Sequence, residues 1–142
     1  MFFDGAARCN GAGAGVVFVS PEGEVMPFAF NLMELCSNNA AEYQALIFGL
    51  EMAINMKIPN LKIFGDSKLI INQVLMLYEV KKVELLPYFK YASKLLTQFD
   101  TFSIEHVPRK ENLQADALAK LASTLAISDK EIKVPKIGRA HV

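Results

Sequence analysis

The distribution of apolar and polar residues in the first quarter of the chain predicts three β-strands. Phe2 and Phe3 begin a short strand that runs into a glycine-rich turn, and the apolar, β-branched residues 16–20 form a second strand. After a turn at PEG, residues 25–32 predict a third strand, in which Pro27 is tolerated at a sheet edge. Because short turns join these strands, we expect an antiparallel meander.

The spacing of apolar residues then becomes helical. Residues 41–56 carry apolar positions near the spacing of one helical face, and Asn38 and Asn39 before them are good cap residues. The later predicted elements are a strand at 61–64, a helix over 69–77, a helix opened by Pro87, a strand in which Phe102, Ile104 and His106 alternate, and a last helix from Asn112. This order predicts a mixed α/β fold whose later strands are reached through helical crossovers.

Composition limits the classes of protein that remain. The chain has 142 residues, of which 52% are hydrophobic, which suits one domain with a continuous core. No stretch approaches the roughly 20 apolar residues of a membrane span. We therefore expect no membrane partner and, without a signal peptide, an intracellular protein of the cytoplasm or nucleus. Cys9 and Cys36 form no CxxC pair, which fits a reducing compartment.

Charge adds one restriction. Fifteen basic residues balance 15 acidic ones, so the net charge is zero. A nucleic-acid partner would therefore have to be held by a local patch or through metal ions, since a general positive field is absent.

Four carboxylates lie at junctions between the predicted elements: Asp4, Glu42, Asp66 and Asp116. Taken singly, each has an ordinary structural explanation, because Asp residues cap turns and helices and Glu42 would suit a helix N-terminus. Taken together, four converging carboxylates would repel one another unless a divalent cation neutralised them. Carboxylate oxygens favour Mg²⁺ or Mn²⁺, so we favour a metal site that supports phosphodiester cleavage.

Four motifs carry a specific resemblance: FDGAARCNGAGAG, SNNAAEYQAL, FGDSKLIINQ and HVPRKENLQADALAKLA. Together they resemble the ribonuclease H family (type 1), in particular the domain of plant retroelement polyproteins and related plant proteins. The resemblance implies an α/β, ribonuclease H-like fold: a mixed five-stranded sheet, with the first three strands antiparallel, flanked by helices. It also implies an endonuclease that hydrolyses the RNA strand of RNA–DNA hybrids with two Mg²⁺ ions, for which Mn²⁺ can substitute.

The resemblance assigns roles residue by residue. The four carboxylates match the family's metal ligands and catalytic acids, and the matches to substrate-binding positions are Asn10, Ser37, Asn38, Asn39, Ser67 and Asn112. Helix capping is an alternative role for Asn38, Asn39, Ser67 and Asn112. His106 matches the family's loop histidine in spacing but continues a strand alternation, so Arg109 is the better candidate to assist at the scissile phosphate or in product departure.

One departure from the family bears on partners. Bacterial relatives carry a basic, tryptophan-rich protrusion between the middle helices, whereas the stretch YEVKKVELLPYF is short, with Lys81 and Lys82 as its adjacent cations and no tryptophan. We expect weak affinity for a hybrid from this domain alone, and an adjacent reverse transcriptase domain that helps to hold it. The chain is then a fragment of a reverse transcriptase polyprotein, and we expect a monomer.

Two rival functions remain. The first is a catalytically weak or inactive domain that binds nucleic acid or tethers a polymerase, and the intact carboxylates count against it. The second is an integrase-like or exonuclease-like nuclease, against which the paired asparagines and the ADALA segment count. We expect the domain to span residues 1–127 and a tail to span 128–135. Residues 136–142, KIGRAHV, match an in-frame translation of a sequencing adapter.

Overall fold

The computed structural model describes residues 1–32 and 36–124, which form one sheet covered by helices. The strands are β1 (Phe2–Arg8), β2 (Gly11–Val19), β3 (Val25–Leu32), β4 (Asn60–Gly65) and β5 (Thr101–His106). The α-helices are α1 (Asn38–Asn55), α2 (Lys68–Val74), α3 (Leu86–Leu96) and α4 (Leu113–Thr124), with 3₁₀ turns at Val83–Leu85 and Arg109–Glu111. The predicted tail and adapter-derived segment lie outside the described residues.

The five strands follow the order β3-β2-β1-β4-β5. The first three are antiparallel, while β4 pairs in parallel with both β1 and β5. Helix α1 provides the crossover from β3 to β4, and α2 and α3 provide the one from β4 to β5. The predicted mixed sheet is confirmed, and β1 lies at its centre, where neighbours on both sides fix its position.

The glycine-rich segment departs from the prediction of a turn, because it forms the end of β1 and the first half of β2. Its glycines permit close packing between this sheet and α4. A Cβ atom on Gly13 would collide with the carbonyl oxygen of Ala119, and one on Gly15 with that of Ala115. The low strand propensity of glycine is thus outweighed by a tertiary contact that larger residues would prevent.

Helix α1 begins earlier than predicted, and its cap is Ser37. The Ala40 N–H donates to Ser37 Oγ at 3.1 Å, so Asn38 and Asn39 occupy the first helical positions and the cap prediction for them is wrong. The helix is buried on several sides, with Tyr43 and Leu46 fully enclosed. It ends at Asn55, before Pro59, and Lys57 adopts a positive φ of 58°.

The other helix starts follow the predictions closely. Ser67 caps α2 by accepting from the Ile70 N–H at 3.4 Å, although this helix stops at Val74 and leaves residues 75–77 outside it. Pro87 lies in the first turn of α3, as predicted. Within the described ranges, every helix falls short of the length and apolar character needed to cross a bilayer.

The contact between β2 and α4 should be intolerant of a methyl group. We predict that Gly15→Ala lowers the free energy of unfolding by about 1–3 kcal/mol, the usual cost of overpacking, because a helix backbone must move. Chemical denaturation monitored by circular dichroism measures this. Gly49→Ala is the matched control, since a Cβ there meets the flexible end of Met1. An equal loss in both variants would contradict the explanation.

Candidate active site

The centre of the site is a group of three carboxylates from three different elements. Asp4 lies on β1, Glu42 in the second turn of α1, and Asp66 directly after β4. One carboxylate oxygen of each lies within 4.8 Å of the others. The parallel register of β1 and β4, which pairs Phe3 with Gly65, explains why Asp4 and Asp66 are neighbours.

Asp116, in the first turn of α4, completes the arrangement because it lies close enough to Asp4 for the two carboxyl groups to share a hydrogen bond when one of them is protonated. Its Oδ2 also lies 3.1 Å from Lys120 Nζ, one turn further along the same helix. The structure therefore brings together all four carboxylates that the sequence singles out. Their role as metal ligands stays a prediction.

Burial and mutual proximity make these carboxylates difficult to ionise together. Burial, a hydrogen bond with Asp116 and nearby negative charge raise the pKa of Asp4 to about 7. Burial, followed by the charge of Asp4, raises the pKa of Glu42 to about 10. Burial opposes ionisation of Asp116 as well, but the Asp4 hydrogen bond and the Lys120 ammonium outweigh it and hold the pKa of Asp116 below its usual range.

The donor set fits a hard divalent cation. It consists of carboxylate oxygens, which are the preferred protein ligands of Mg²⁺ and Mn²⁺. Among the described residues, Asp66 Oδ2 is one of the few buried polar side-chain atoms without a hydrogen-bond partner, and a cation would satisfy it. Glu42 Oε1 is held in place by the Gly5 N–H at 3.2 Å, which orients that carboxylate toward the group.

A cavity of about 470 Å³ opens onto Asp4, Glu42 and Asp116 and follows β1 as far as Arg8. Arg109 lines it, and Arg109 Nε lies 3.6 Å from Asp66 Oδ2. His106 is instead the last residue of β5, as its strand alternation predicts, and it is paired with Gly65 and exposed. The geometry therefore favours Arg109 over His106 as the group that acts beside the carboxylates.

The predicted substrate-binding residues lie in different environments. Asn38 lines the cavity, and its Oδ1 accepts from the Ala7 N–H at 3.0 Å, which leaves its amide N–H groups available to a ligand. Asn10 is exposed in the turn between β1 and β2, while Asn39 is half-buried in the first turn of α1. The side chains of Ser37 and Ser67 are used as helix caps.

The side chain of Asn112 binds to β1 and does not serve as the predicted helix cap. It is 1% exposed, and its Nδ2 donates to the Phe3 carbonyl oxygen at 2.9 Å. The backbone carbonyl of Asn112 accepts from the Asp116 N–H at 3.0 Å. The residue thus links β1, next to Asp4, to the turn of α4 that carries Asp116.

Sequence reasoning overlooked two cations that line the cavity, Arg8 and Lys120. The position of Lys120 could have been inferred, because it lies four residues after Asp116 on the same helical face. Arg8 lies at the end of β1, in a segment that was predicted to be a turn, so the side of the sheet that carries its side chain could not be predicted.

Comparison with known proteins agrees with this fold and site. Residues 2–122 match the profile of the reverse transcriptase-like family. The chain is 39% identical over 123 residues to ribonuclease HI of Halobacterium salinarum, covering 85% of this chain and 62% of that protein. It is 34% identical over 126 residues to a bifunctional protein of Mycobacterium tuberculosis, covering 87% of this chain and 35% of that protein.

Solved structures extend the likeness. RNase H1 of H. salinarum superimposes with a TM-score of 0.81 at 39% identity, covering 85% of this chain and 93% of that chain. LC11-RNase H1, isolated from compost and solved in complex with an RNA/DNA hybrid, superimposes with a TM-score of 0.78 at 30% identity, covering 86% of this chain and 94% of that chain. The chain belongs to the reverse transcriptase-like family and is a ribonuclease H-like domain within it. It spans less than two thirds of the length of both curated relatives.

The raised pKa values of Asp4 and Glu42 predict how pH affects stability. Both values exceed those of an unfolded chain, so the native state binds more protons from about pH 4 up to about pH 7 at Asp4 and up to about pH 10 at Glu42, and metal-free stability falls as pH rises through this range. Mg²⁺ should oppose this loss, because a cation that binds the native ionised carboxylates stabilises them. We predict a larger Mg²⁺-induced rise in Tm at about pH 8 than at about pH 6.

Differential scanning fluorimetry measures this difference. NaCl at matched ionic strength is the control, since general screening should not reproduce a specific site. A Tm shift that NaCl reproduces, or that is the same at both pH values, would contradict a cation site at these carboxylates.

Proposed function

We propose that this domain is a metal-dependent endonuclease that hydrolyses the RNA strand of RNA–DNA hybrids. The observation that carries the proposal is the convergence of four carboxylates, from β1, α1, the end of β4 and α4, three of which line an open cavity. The relatives support it, since two are named as ribonucleases H and one of those was solved with an RNA/DNA hybrid.

The carboxylates would divide between two cations. Asp4, Glu42 and Asp66 would hold the ion nearer the leaving 3′ oxygen, and Asp4 and Asp116 the ion nearer the attacking water. A pair of Mg²⁺ ions, for which Mn²⁺ can substitute, supplies activation of water and stabilisation of the leaving oxygen. Products would carry 5′-phosphate and 3′-hydroxyl ends.

The chain's own residues would orient the substrate. The amide N–H groups of Asn38 can donate to minor-groove base acceptors or to a 2′-hydroxyl, and the second contact distinguishes RNA from DNA. Arg109, beside Asp66, can neutralise charge at the scissile phosphate or assist product departure. Asn10, in the turn after β1, and Ser37 and Asn39, next to Asn38 at the start of α1, would extend the contact with the hybrid backbone.

We also propose that a reverse transcriptase domain in a longer protein helps to hold the hybrid. The family description supports this, and the bifunctional mycobacterial relative, of which the chain covers 35%, shows that such a domain can be part of a longer protein. The exposed Lys81 and Lys82 provide few cations for independent binding.

The test is cleavage of a labelled RNA–DNA hybrid in Mg²⁺ and in Mn²⁺, with duplex RNA and duplex DNA as comparison substrates. We predict cleavage of the hybrid alone, and a loss of at least about a hundredfold in rate for Asp66→Asn, because it removes a direct ligand. The variant should retain the wild-type circular dichroism spectrum, since the amide is nearly isosteric.

Asp100→Asn is the matched control, because Asp100 is an exposed aspartate outside the cavity. It should cleave at the wild-type rate. Undiminished cleavage by Asp66→Asn would contradict the site. A folded wild-type protein that binds the hybrid without cutting it would support the tethering function in place of the nuclease.

A further inference from the structure

The cavity extends well beyond the carboxylates, and its far end is cationic. Between Asp4 and Arg8 it is lined by Gly5, Ala6 and Ala7, whose small side chains leave the surface of β1 open. Arg8 lies four positions after Asp4 along the strand, which is about 13 Å. The carboxylates therefore occupy one end of a space long enough for more than a single phosphate group.

Two cations, Arg8 and Lys120, line the part of the cavity that leads from the carboxylates to its far end. Arg8 is exposed at the end of β1, and Lys120 enters the cavity from α4. The rise from Asp116 to Lys120 is about 6 Å along the helix axis, so Lys120 lies beside the carboxylates on the side toward Arg8. Its side chain remains 61% exposed while it pairs with Asp116, which leaves its ammonium accessible to a ligand in the cavity.

We propose that Arg8 and Lys120 form a phosphate subsite, which binds a backbone phosphate next to the one placed at the carboxylates. The subsite rests on the proposed function only in assuming that a nucleic-acid backbone enters this cavity. Its ligand is a phosphodiester, for which Arg provides a planar set of donors and Lys a compact charge.

The charge distribution explains why such a subsite is needed. The chain has no net charge, and the four carboxylates would repel the phosphates that they must approach. Arg8 and Lys120 would attract the next phosphate along the strand and so oppose that repulsion. A divalent cation on Asp116 would also reduce its attraction for Lys120, which frees the ammonium for the phosphate.

The alternative is that Lys120 serves solely as a helix ion pair, which stabilises α4 by a few tenths of a kcal/mol. The two roles differ in the salt dependence of binding. A residue that neutralises a phosphate releases counterions, so its removal lowers the slope of log K against log [salt] by about one. A residue that pairs only within its helix leaves that slope unchanged.

The experiment measures binding of a fluorescently labelled RNA–DNA hybrid by anisotropy at several salt concentrations in Mg²⁺. Every protein carries Asp66→Asn, so that the hybrid stays intact during the titration. Arg8→Ala and Lys120→Ala should each weaken binding and lower the salt slope by about one, whereas Lys120→Arg should retain most of the affinity. Lys90→Ala, which removes an exposed charge from α3, is the matched control and should change neither quantity.

A second measurement locates the phosphate. Each hybrid carries one neutral methylphosphonate in place of a backbone phosphate. Its affinity is measured for the Asp66→Asn protein and for the same protein with Lys120→Ala added. The Asp66→Asn protein should bind more weakly when the neutral group stands next to the cleavage position. The protein that also carries Lys120→Ala should show no further loss from that substitution, because the lysine that contacts this phosphate is already gone. Losses that are independent of the variant at every position would overturn the subsite.

The outcomes separate this proposal from the nuclease activity. Unchanged salt slopes in Arg8→Ala and Lys120→Ala, in a domain whose wild type cleaves the hybrid, overturn the subsite and leave the nuclease intact. Reduced slopes in a domain that does not cleave support the subsite and overturn the nuclease. An equal reduction in Lys90→Ala would reveal a general charge effect, and it would overturn the subsite.

Discussion

The repulsion among four converging carboxylates is the constraint on which the site depends. Asp4, which is 4% exposed, is already costly to ionise, and Asp116 and Asp66 lie close enough to raise that cost further. The raised pKa values of Asp4 and Glu42 express this cost directly. Such an arrangement is stable in its ionised form only with cations nearby, so the geometry favours divalent metal and cationic side chains together.

The fold maintains this arrangement through contacts outside the carboxylates. Gly13 and Gly15 let α4 approach the sheet closely, which brings Asp116 to β1. Asn112 fixes the start of the same helix by donating to the Phe3 carbonyl oxygen, one residue before Asp4. Asn31, buried on β3, donates to Ala122 at the other end of α4. Residues that never touch a substrate thus determine the distance between two of the carboxylates.

Much of the fold could be predicted from the sequence because its elements alternate clearly between strand and helix periods. The glycine-rich strand could not, since glycine gives no strand signal and the reason for it lies in the packing of α4, far away in the chain. The cap of α1 was misplaced by one residue for a related reason: serine and asparagine are equally good caps, and only backbone geometry selects Ser37.

The candidate site, like the fold, could be predicted only in part from the sequence. The four carboxylates could be recognised from motifs, and the structure places them together. The contact of Asn112 and the positions of Arg8 and Lys120 depend on how β1 and α4 face each other, which no local pattern specifies. Residues that act through tertiary contacts were therefore either misassigned or overlooked.

The most direct test of the central claim is a Mn²⁺ titration followed by ¹⁵N-resolved NMR, because a bound paramagnetic ion broadens the amide signals nearest to it. The account predicts that broadening begins at the amides around Asp4, Glu42, Asp66 and Asp116, while those of α3 stay sharp. Broadening centred elsewhere, or spread evenly over the surface, would contradict a divalent cation site at these carboxylates.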